Sequence, residues 1–514
     1  MGISNSCRFA LTVSCSALAL AVGANAARAA DFIGGDTLLI STTTYQDVGE
    51  VANLVAGVSQ LPGSNAGQTS TAVSNGNLNT VWNNEAGDPS FGVTSAISLS
   101  DLNVKTGAVL ASTTLNPSIV STSFSSKSEL GLNLTKTSSG YVATFMGYAG
   151  GGVGNLDVSN SDTTAFKDTT NPVTSFFAPG ANQTFAFNRS VVEFSANGSF
   201  TTTQTLAYGG NNGRGAVLAP NGLLYTVGNS NNGSGTPTQL TTSTGLEVAT
   251  PGATPNSTMI DPTFTSKPGD KAGKDSNFRG LTSFDGSLFF TKGSGSNGID
   301  TVYTVSNPNG QLPTAATASD ATISILPGFP TDSAKTGPNF TPFGLFFANS
   351  TTLYVADEGT GDATDQTENA GLEKWTLSDG TWSLDYTLQA GLIGDMYSVP
   401  GWDFEETTTG LRNLTGEVNP NGTVTFFATT STSSDSGDNG ADPNEIVKIT
   451  DVLGDTSLPT NESFSVFDGP QAGLRFGGVA FAAAPEPSTW AMLLIGFAGL
   501  GFAGYRKRST LSVR

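Results

Sequence analysis

Three stretches of this chain are one pattern repeated: "RGAVLAPNGLLYTVG" from Arg214, "RGLTSFDGSLFFTKG" from Arg279 and "PFGLFFANSTTLYVAD" from Pro342. Each reads as a short apolar run, a polar turn and a second run with an aromatic near its middle, the signature of a β-hairpin. The leading glycines Gly215, Gly280 and Gly344 precede Tyr225, Phe290 and Tyr354 by ten positions in every case. Equal spacing implies equal hairpins. Weaker copies begin at Gly131, ten before Tyr141, and at Gly416, eleven before Phe427. After Gly477, "GVAFA" is a first strand without a second, whereas "DTLLISTTTY" from Asp36 is a second strand without a first. A circular fold that pairs the two ends of the chain in one sheet accounts for both defects.

Third and fourth strands fit the same scheme. "RSVVEFS" from Arg189, "TVYTV" from Thr301, "LEKWTL" from Leu372 and "EIVKIT" from Glu445 read as thirds. "SFTTTQTL" from Ser199, "ATISIL" from Ala321, "WSLDYTL" from Trp382 and "SFSVF" from Ser463 read as fourths. The expectation is an all-β chain, a β-propeller of six four-stranded blades closed by N- and C-terminal strands. The starting glycines lie 61 to 84 residues apart, more than the ~40 to 50 residues of compact blades, so long loops are required. The stretch from Val51 to Ser128 has no clear pattern and leaves room for a seventh blade. The same hairpins are also compatible with an array of two-sheet sandwiches.

The two ends carry a different signal. Arg8 precedes an apolar run from Phe9 to Val22, followed by small-residue sites at Ala24 to Ala26 and Ala27 to Ala29, the layout of a secretory signal peptide over residues 1–30. At the other end, Pro485-Glu486-Pro487 is followed by Trp490 and a glycine-spotted apolar segment, then Arg506, Lys507 and Arg508. The segment from Trp490 to Tyr505 has 16 uncharged residues, a helix of only ~24 Å against a hydrocarbon core of ~30 Å. The basic cluster beyond it would stay cytoplasmic. Residues 485–508 resemble the PEP-CTERM sorting signal of Gram-negative bacteria. That resemblance implies Sec export, transient inner-membrane anchoring by a C-terminal helix with residues 509–514 as a cytoplasmic tail, and processing by an exosortase. It further implies delivery of residues 31–484 to the cell surface or beyond, often in strains that make exopolysaccharide.

Composition then removes whole classes of chemistry. The chain has no histidine, and its two cysteines, Cys7 and Cys15, lie in the signal peptide. Serine and cysteine triads that need a histidine base, thiolate ligands and the usual zinc sites are excluded. Between residues 31 and 484 there remain 16 basic and 41 acidic side chains, a net charge near −25. Such a surface repels phosphate backbones and argues against nucleic acid as a partner, while it suits divalent cations.

In a four-stranded blade the loops joining second to third strands, and those joining successive blades, share one face of the ring. Three acidic segments fall there. Asp357, Glu358, Asp362 and Asp365 lie in "ADEGTGDATDQTENAG"; Asp403 lies in "GWDFEE"; Asp435, Asp438, Asp442 and Glu445 lie in "SDSGDNGADPNE". Carboxylates among glycines suit calcium, the one cofactor the sequence suggests. The spacing matches neither the EF-hand loop nor calcium-binding nonapeptide repeats, and the same segments read as solvated acidic loops. Lys267, Lys271, Lys274 and Arg279 share that face as a cationic patch or as ordinary surface pairs with Asp270 and Asp275. Arg214 and Arg279, each next to a strand glycine, read as serving blade geometry. Trp375 and Trp382 fall in strand patterns and read as core, and Trp402 sits in a loop.

Two functional readings follow. One is an exported matrix protein whose propeller has a binding or structural role, with exopolysaccharide as its partner. The other is a calcium-dependent propeller hydrolase acting on a phosphoester, lactone or glycan through metal-activated water.

Overall fold

A computed structural model describes residues 31–484 except 63–68, 75–81, 84–91, 157, 167–185, 231–236, 253, 296, 362–369 and 438. The predicted signal peptide and the whole sorting tail lie outside the described residues.

Six antiparallel sheets form the ring. Blade I runs through Asn133–Thr137, Gly140–Ala149, Arg189–Ser195 and Phe200–Thr205, and the C-terminal end of its second strand also pairs with Val120–Ser123. Blade II is Gly213–Leu218, Leu224–Gly228, Gly245–Ala249 and Thr258–Met259; blade III is Phe278–Phe284, Ser287–Lys292, Thr301–Ser306 and Thr322–Ile325. Blade IV is Pro342–Asn349, Thr352–Asp357, Gly371–Ser378 and Thr381–Leu388. Blade V is Glu405–Val418, Thr423–Ser433, Ile446–Val452 and Ser465–Asp468, with Met396–Ser398 added beside its first strand.

Blade VI is built from both ends of the chain. Leu474–Ala482 is its inner strand and pairs antiparallel with Thr37–Thr44, from Thr37 opposite Ala482 to Thr44 opposite Leu474. Ile97–Asn103 and Val109–Thr114 complete it. Inner strands of neighbouring blades touch in the order I to VI and back to I, so the ring is closed. The stretch from Val51 to Ser128 thus supplies the outer half of blade VI. Its other described strands are short: Gln60–Pro62 pairs with Thr69–Thr71, Val73–Ser74 with Trp82–Asn83, and Thr94–Ser95 with Val120–Ser123. No seventh blade exists among the described residues.

Inner strands have one edge that no strand covers, and its backbone groups need partners. Second-strand hydroxyls provide them across the blade boundary. Ser41 Oγ donates to the Leu130 carbonyl at 2.7 Å, Thr144 Oγ1 to the Ala216 carbonyl at 2.8 Å, and Thr291 Oγ1 to the Phe343 carbonyl at 2.9 Å. Asn413 Oδ1 accepts the Val479 N–H at 2.6 Å, tying blade V to blade VI. Such contacts require the strands to lie close, which is what the leading glycines permit. A Cβ at Gly280 would sit 1.8 Å from the Phe343 carbonyl oxygen, and one at Gly478 would sit 2.4 Å from that of Leu130. In blade V the axial position belongs to Asn413, and Gly416 instead packs on Phe346 and Phe426 farther along the strand.

Between blades the aromatics interlock. Tyr225, Phe290 and Tyr354, the repeated aromatics, are fully buried, and Phe278, Phe290 and Tyr303 pack ring on ring with Phe264. One face carries tight turns such as Asp285-Gly286 and Asp379-Gly380, where aspartate and glycine take positive φ. The opposite face carries all the second-to-third loops and blade connections. Among the described residues no helix is long and apolar enough to cross a membrane.

Because the Phe343 carbonyl cannot retreat without opening the boundary between blades III and IV, Gly280→Ala is expected to destabilise the protein by about 1–3 kcal/mol. Gly454→Ala, where an added methyl meets nothing within 4 Å, is the control and should stay within about 0.5 kcal/mol. Urea unfolding of the two variants measures both.

Candidate functional site

The body of the chain contains five arginines, Arg189, Arg214, Arg279, Arg412 and Arg475. Arginine is ordinarily a surface residue, yet none of these is more than 9% exposed. Four sit on the inner strands of blades II, III, V and VI, on the half nearer the loop face, and Arg189 opens the third strand of blade I. Arg279 and Arg412 share one carboxylate, and Arg214 and Arg279 line the same space at the axis.

Arg189 is held by carbonyls: its guanidinium donates to those of Asn211, Asp162 (3.2 Å), Phe187 (2.7 Å) and Ser159 (3.0 Å), and it lies 5.0 Å over the Tyr148 ring. Tyr148 in turn donates to Glu129 Oε1 at 2.6 Å, while Glu129 Oε2 accepts from Thr122 Oγ1 at 2.6 Å and the Ser123 N–H at 3.0 Å. Arg214 donates to the amide oxygens of Asn212 (2.9 Å), Asn277 and Asn211 (3.4 Å). Arg279 and Arg412 both pair with Glu358, Arg412 through Nε at 3.2 Å. Arg475 Nε donates to the Phe124 carbonyl at 3.0 Å.

Burial sets the electrostatics of the network. Loss of water pulls the Arg214 guanidinium down to about 10, against the attraction of Glu129. Arg279 is driven well below the usual arginine range, first by burial and then by the like charges of Arg214 and Arg412. Beneath the arginines the inner strands enclose an axial cavity with about 30 Å³ of free room for water, lined by Arg214, Arg279, Phe343, Asn133, Asn413 and the axial glycines. On the order of two waters fit such a space, and a sugar ring does not.

The acidic residues singled out in the sequence do gather on the loop face, where they have distinct roles. Asp357 accepts from the Thr341 N–H at 2.8 Å, the Thr341 hydroxyl and the Gly359 N–H at 2.8 Å, which fixes the turn after blade IV's second strand. Glu358 is the shared partner of two arginines. Asp403 and Asp435 are exposed. Asp362, Asp365 and Asp438 lie outside the described residues. Glu445 is buried, and burial together with Asp395 pushes its carboxyl up to about 7. No group of three or more carboxylates able to hold a metal converges among the described residues.

Asp442 has a different neighbour. It and Glu406 are both buried, Asp442 Oδ1 accepting from Ser436 Oγ at 2.6 Å and Glu406 Oε1 from Trp402 Nε1 at 2.6 Å. Burial, followed by the charge of Asp442, pushes Glu406 up to about 9, so at neutral pH the pair shares a proton. Trp402, which donates to Glu406, belongs to an apolar cluster with Tyr45, Val51, Phe124, Leu156 and Val399.

The remaining candidates serve packing. Trp375 stacks on Phe329 with centroids 4.0 Å apart, and Trp382 is buried in the same cluster. Lys274 bridges Asp270 at 3.1 Å and Asp275 at 3.4 Å, while Lys267 and Lys271 are exposed. Sequence reasoning placed Glu406 in the acidic segment "GWDFEE" but passed over Arg189, Arg412, Arg475 and Glu129 as site residues. The scarcity of arginine in the body, with four of five on inner strands, was the available signal.

Fold and face define a six-bladed β-propeller with its loops and buried cations gathered at one end of the axis. Residues 483–508 match the model of the PEP-CTERM protein-sorting motif. The chain is therefore an exported, cell-surface propeller with an exosortase address. No curated protein matches it. Among solved structures it is similar to a putative 6-phosphogluconolactonase from Bacteroides fragilis, at 12% identity and a TM-score of 0.32 over 86% of this chain and 98% of that one. It is also similar to the hemagglutinin-neuraminidase ectodomain of parainfluenza virus 5, at 10% identity and a TM-score of 0.31 over 75% and 76% of the two chains. A glycoside hydrolase family 43 arabinoxylan arabinofuranohydrolase from Bacillus subtilis gives 12% identity and a TM-score of 0.28 over 81% and 95%.

The carboxyl pair gives the site a pH signature. Glu406 keeps its proton in the fold up to about pH 9, whereas the unfolded chain releases it near ~4.3. As pH rises between those values the unfolded state holds fewer protons than the folded one, so this contribution is complete at low pH and is lost toward pH 9. Glu406→Gln is expected to lose less melting temperature than the wild type between pH 5 and pH 9. Thermal melts of both proteins across that range test it; parallel curves would show that Glu406 is already ionised in the fold.

Proposed function

We propose that this protein is a binding or structural module of the extracellular matrix, which meets exopolysaccharide through the loop face of its propeller. The observation that carries the reading is the direction of the last strand. Leu474–Ala482 starts at the loop face, where Arg475 reaches the Phe124 carbonyl, and finishes at the turn face, where the Ala483 carbonyl accepts from Tyr141 at 2.9 Å. The chain thus heads for the sorting motif on the side opposite the loops. A protein held in the inner membrane by that tail, after Sec export, turns its loop face away from the bilayer and keeps it outward until exosortase releases it.

The acidic body also suits this role. A strongly negative surface stays soluble in a hydrated matrix and resists nonspecific association with other anionic polymers. Specific contact then falls to the loop face, where Lys267 and Lys271 are exposed.

A second reading, a calcium-dependent hydrolase, is supported by Glu406 and Asp442, a buried pair of carboxyls in contact with one another. Calcium at that pair would replace the shared proton, with Glu445 and the tentative ligands Asp403, Asp435 and Asp438 in the nearby loops.

Two experiments separate these ideas. Glu486→Ala is expected to leave the protein cell-associated in its own host, and immunoblots of cell and medium fractions read the outcome; normal release would remove the exosortase step. The released wild-type protein is expected to cosediment with the host's purified exopolysaccharide equally well with and without chelator. Loss of binding in chelator, or hydrolysis that appears only with calcium, would favour the second reading instead.

A further inference from the structure

We infer that Lys374 and Asp451 join in an isopeptide bond, formed by the folded protein itself, that ties blade IV to blade V. The inference does not depend on the matrix reading. Lys374 lies on the third strand of blade IV, with Tyr354 and Tyr386 directly opposite it on the strands to either side. Its Nζ is 5.7 Å and 5.1 Å from the centres of their rings. Asp451 comes from the third strand of blade V, 77 positions away in sequence. The side chains of Lys374 and Asp451 are 1% and 0% exposed, and Nζ stands 3.0 Å from Oδ2.

The amine is fixed in place. Nζ also donates to the Tyr386 hydroxyl at 2.9 Å and to the Val452 carbonyl at 2.8 Å. It is thus held at the near-attack separation of about 3–3.5 Å at which proximity replaces a high reactant concentration. Water is kept off by the apolar cluster that Tyr354 and Tyr386 form with Leu372, Phe426 and Ile449. Two charges held so far from solvent are costly, and condensation to an amide removes both.

The carboxyl group is prepared as well. Tyr386 donates to Asp451 Oδ1 at 2.6 Å, and Tyr354 donates to Oδ2. Burial, and after it Asp451, pushes both phenols well above their usual range, so they remain donors. Donors on both oxygens draw electrons from the carboxyl carbon and stabilise the oxyanion that attack creates.

A second carboxyl separates this site from an ordinary buried ion pair. Glu462, in the loop before the outer strand of blade V, accepts from the Val452 N–H at 3.3 Å and touches Asp451. Burial, followed by that contact, pushes Glu462 up to about 7, where it can both give and take a proton at neutral pH. The step then balances without a co-reactant. The Nζ lone pair forms a bond to the Asp451 carboxyl carbon, and the bond from that carbon to one oxygen breaks. Of the three protons on the lysine nitrogen one stays on the amide, and two leave with the departing oxygen as water. One of these crosses directly from Nζ to the carboxylate, and Glu462 carries the other. Nothing is oxidised or reduced. The body has no cysteine, so the amide supplies a cross-link that disulfides cannot.

Tryptic mapping of the exported wild-type protein, denatured before digestion, tests this directly. An acylated Lys374 is no longer a cleavage site, so residues 336–412 and 449–475 are expected to emerge as one branched species, lighter than their sum by one water. Fragmentation should place the branch at Lys374 and Asp451. Glu462 is half-buried, and Glu462→Gln leaves the ion pair in place. The cross-linked fraction of that variant, newly made and folded, is expected to be lower by about tenfold or more. Cross-linking equal to the wild type would overturn the role given to Glu462. Wild-type protein that yields residues 375–412 and 449–475 as separate peptides of full mass would overturn the bond itself, whether or not the variant folds.

Discussion

Everything at the axis depends on one pairing, that of Thr37–Thr44 with Leu474–Ala482. A propeller's inner strands have little to hold them beyond their own blade and the two neighbours, so an open ring would expose the polar edges of the strands flanking the gap. Here the two ends of the described chain meet in one sheet, and the last strand closes the circle against blade V on one side and blade I on the other. Ser41, on the N-terminal strand, reaches across to the Leu130 carbonyl, so the closure also fixes where blade I stands. The same strand delivers Arg475 to the loop face.

Closure also gives the molecule its polarity. Inner strands all run from the loop face to the turn face, and arginines placed early in them are therefore carried to one end of the axis. Charge that would be harmless on the surface becomes a buried, concentrated field. The protein meets part of this cost with Glu358, Glu129 and a set of asparagines. The body as a whole is strongly acidic, so this small basic interior is an exception that the fold maintains deliberately in four of six blades. The exit of the chain at the other end separates sorting from whatever the loop face contacts.

The ring was legible in the sequence because hairpins are local: a glycine, a turn and an aromatic at fixed spacing announce themselves within fifteen residues, and an unmatched strand at each end implies closure. The third and fourth strands of blade II, Gly245–Ala249 and Thr258–Met259, were not, since they are short and flanked by long loops. Site chemistry was harder for a different reason. Asp357 and Asp442 looked alike in sequence, both among glycines and other acids. Burial and partners make one a turn anchor and the other half of a proton-sharing pair with Glu406, which is 36 positions away in sequence. Likewise Lys374 meets Asp451 from the neighbouring blade, with Tyr354 and Tyr386 on the same carboxylate, a buried network that no local pattern announces.

Disulfide trapping tests the closure most directly. The body contains no cysteine, so a pair introduced by Ile40→Cys and Val479→Cys, which face one another across the two terminal strands, reports without background. Cβ atoms of directly opposed residues lie within disulfide reach. If the ring closes as described, both thiols are consumed within the monomer on mild oxidation, and the product unfolds at higher temperature than its reduced form because the bond closes nearly the whole chain into a loop. Thiols that stay free, or bonds formed only between molecules, would contradict a ring sealed by its own ends.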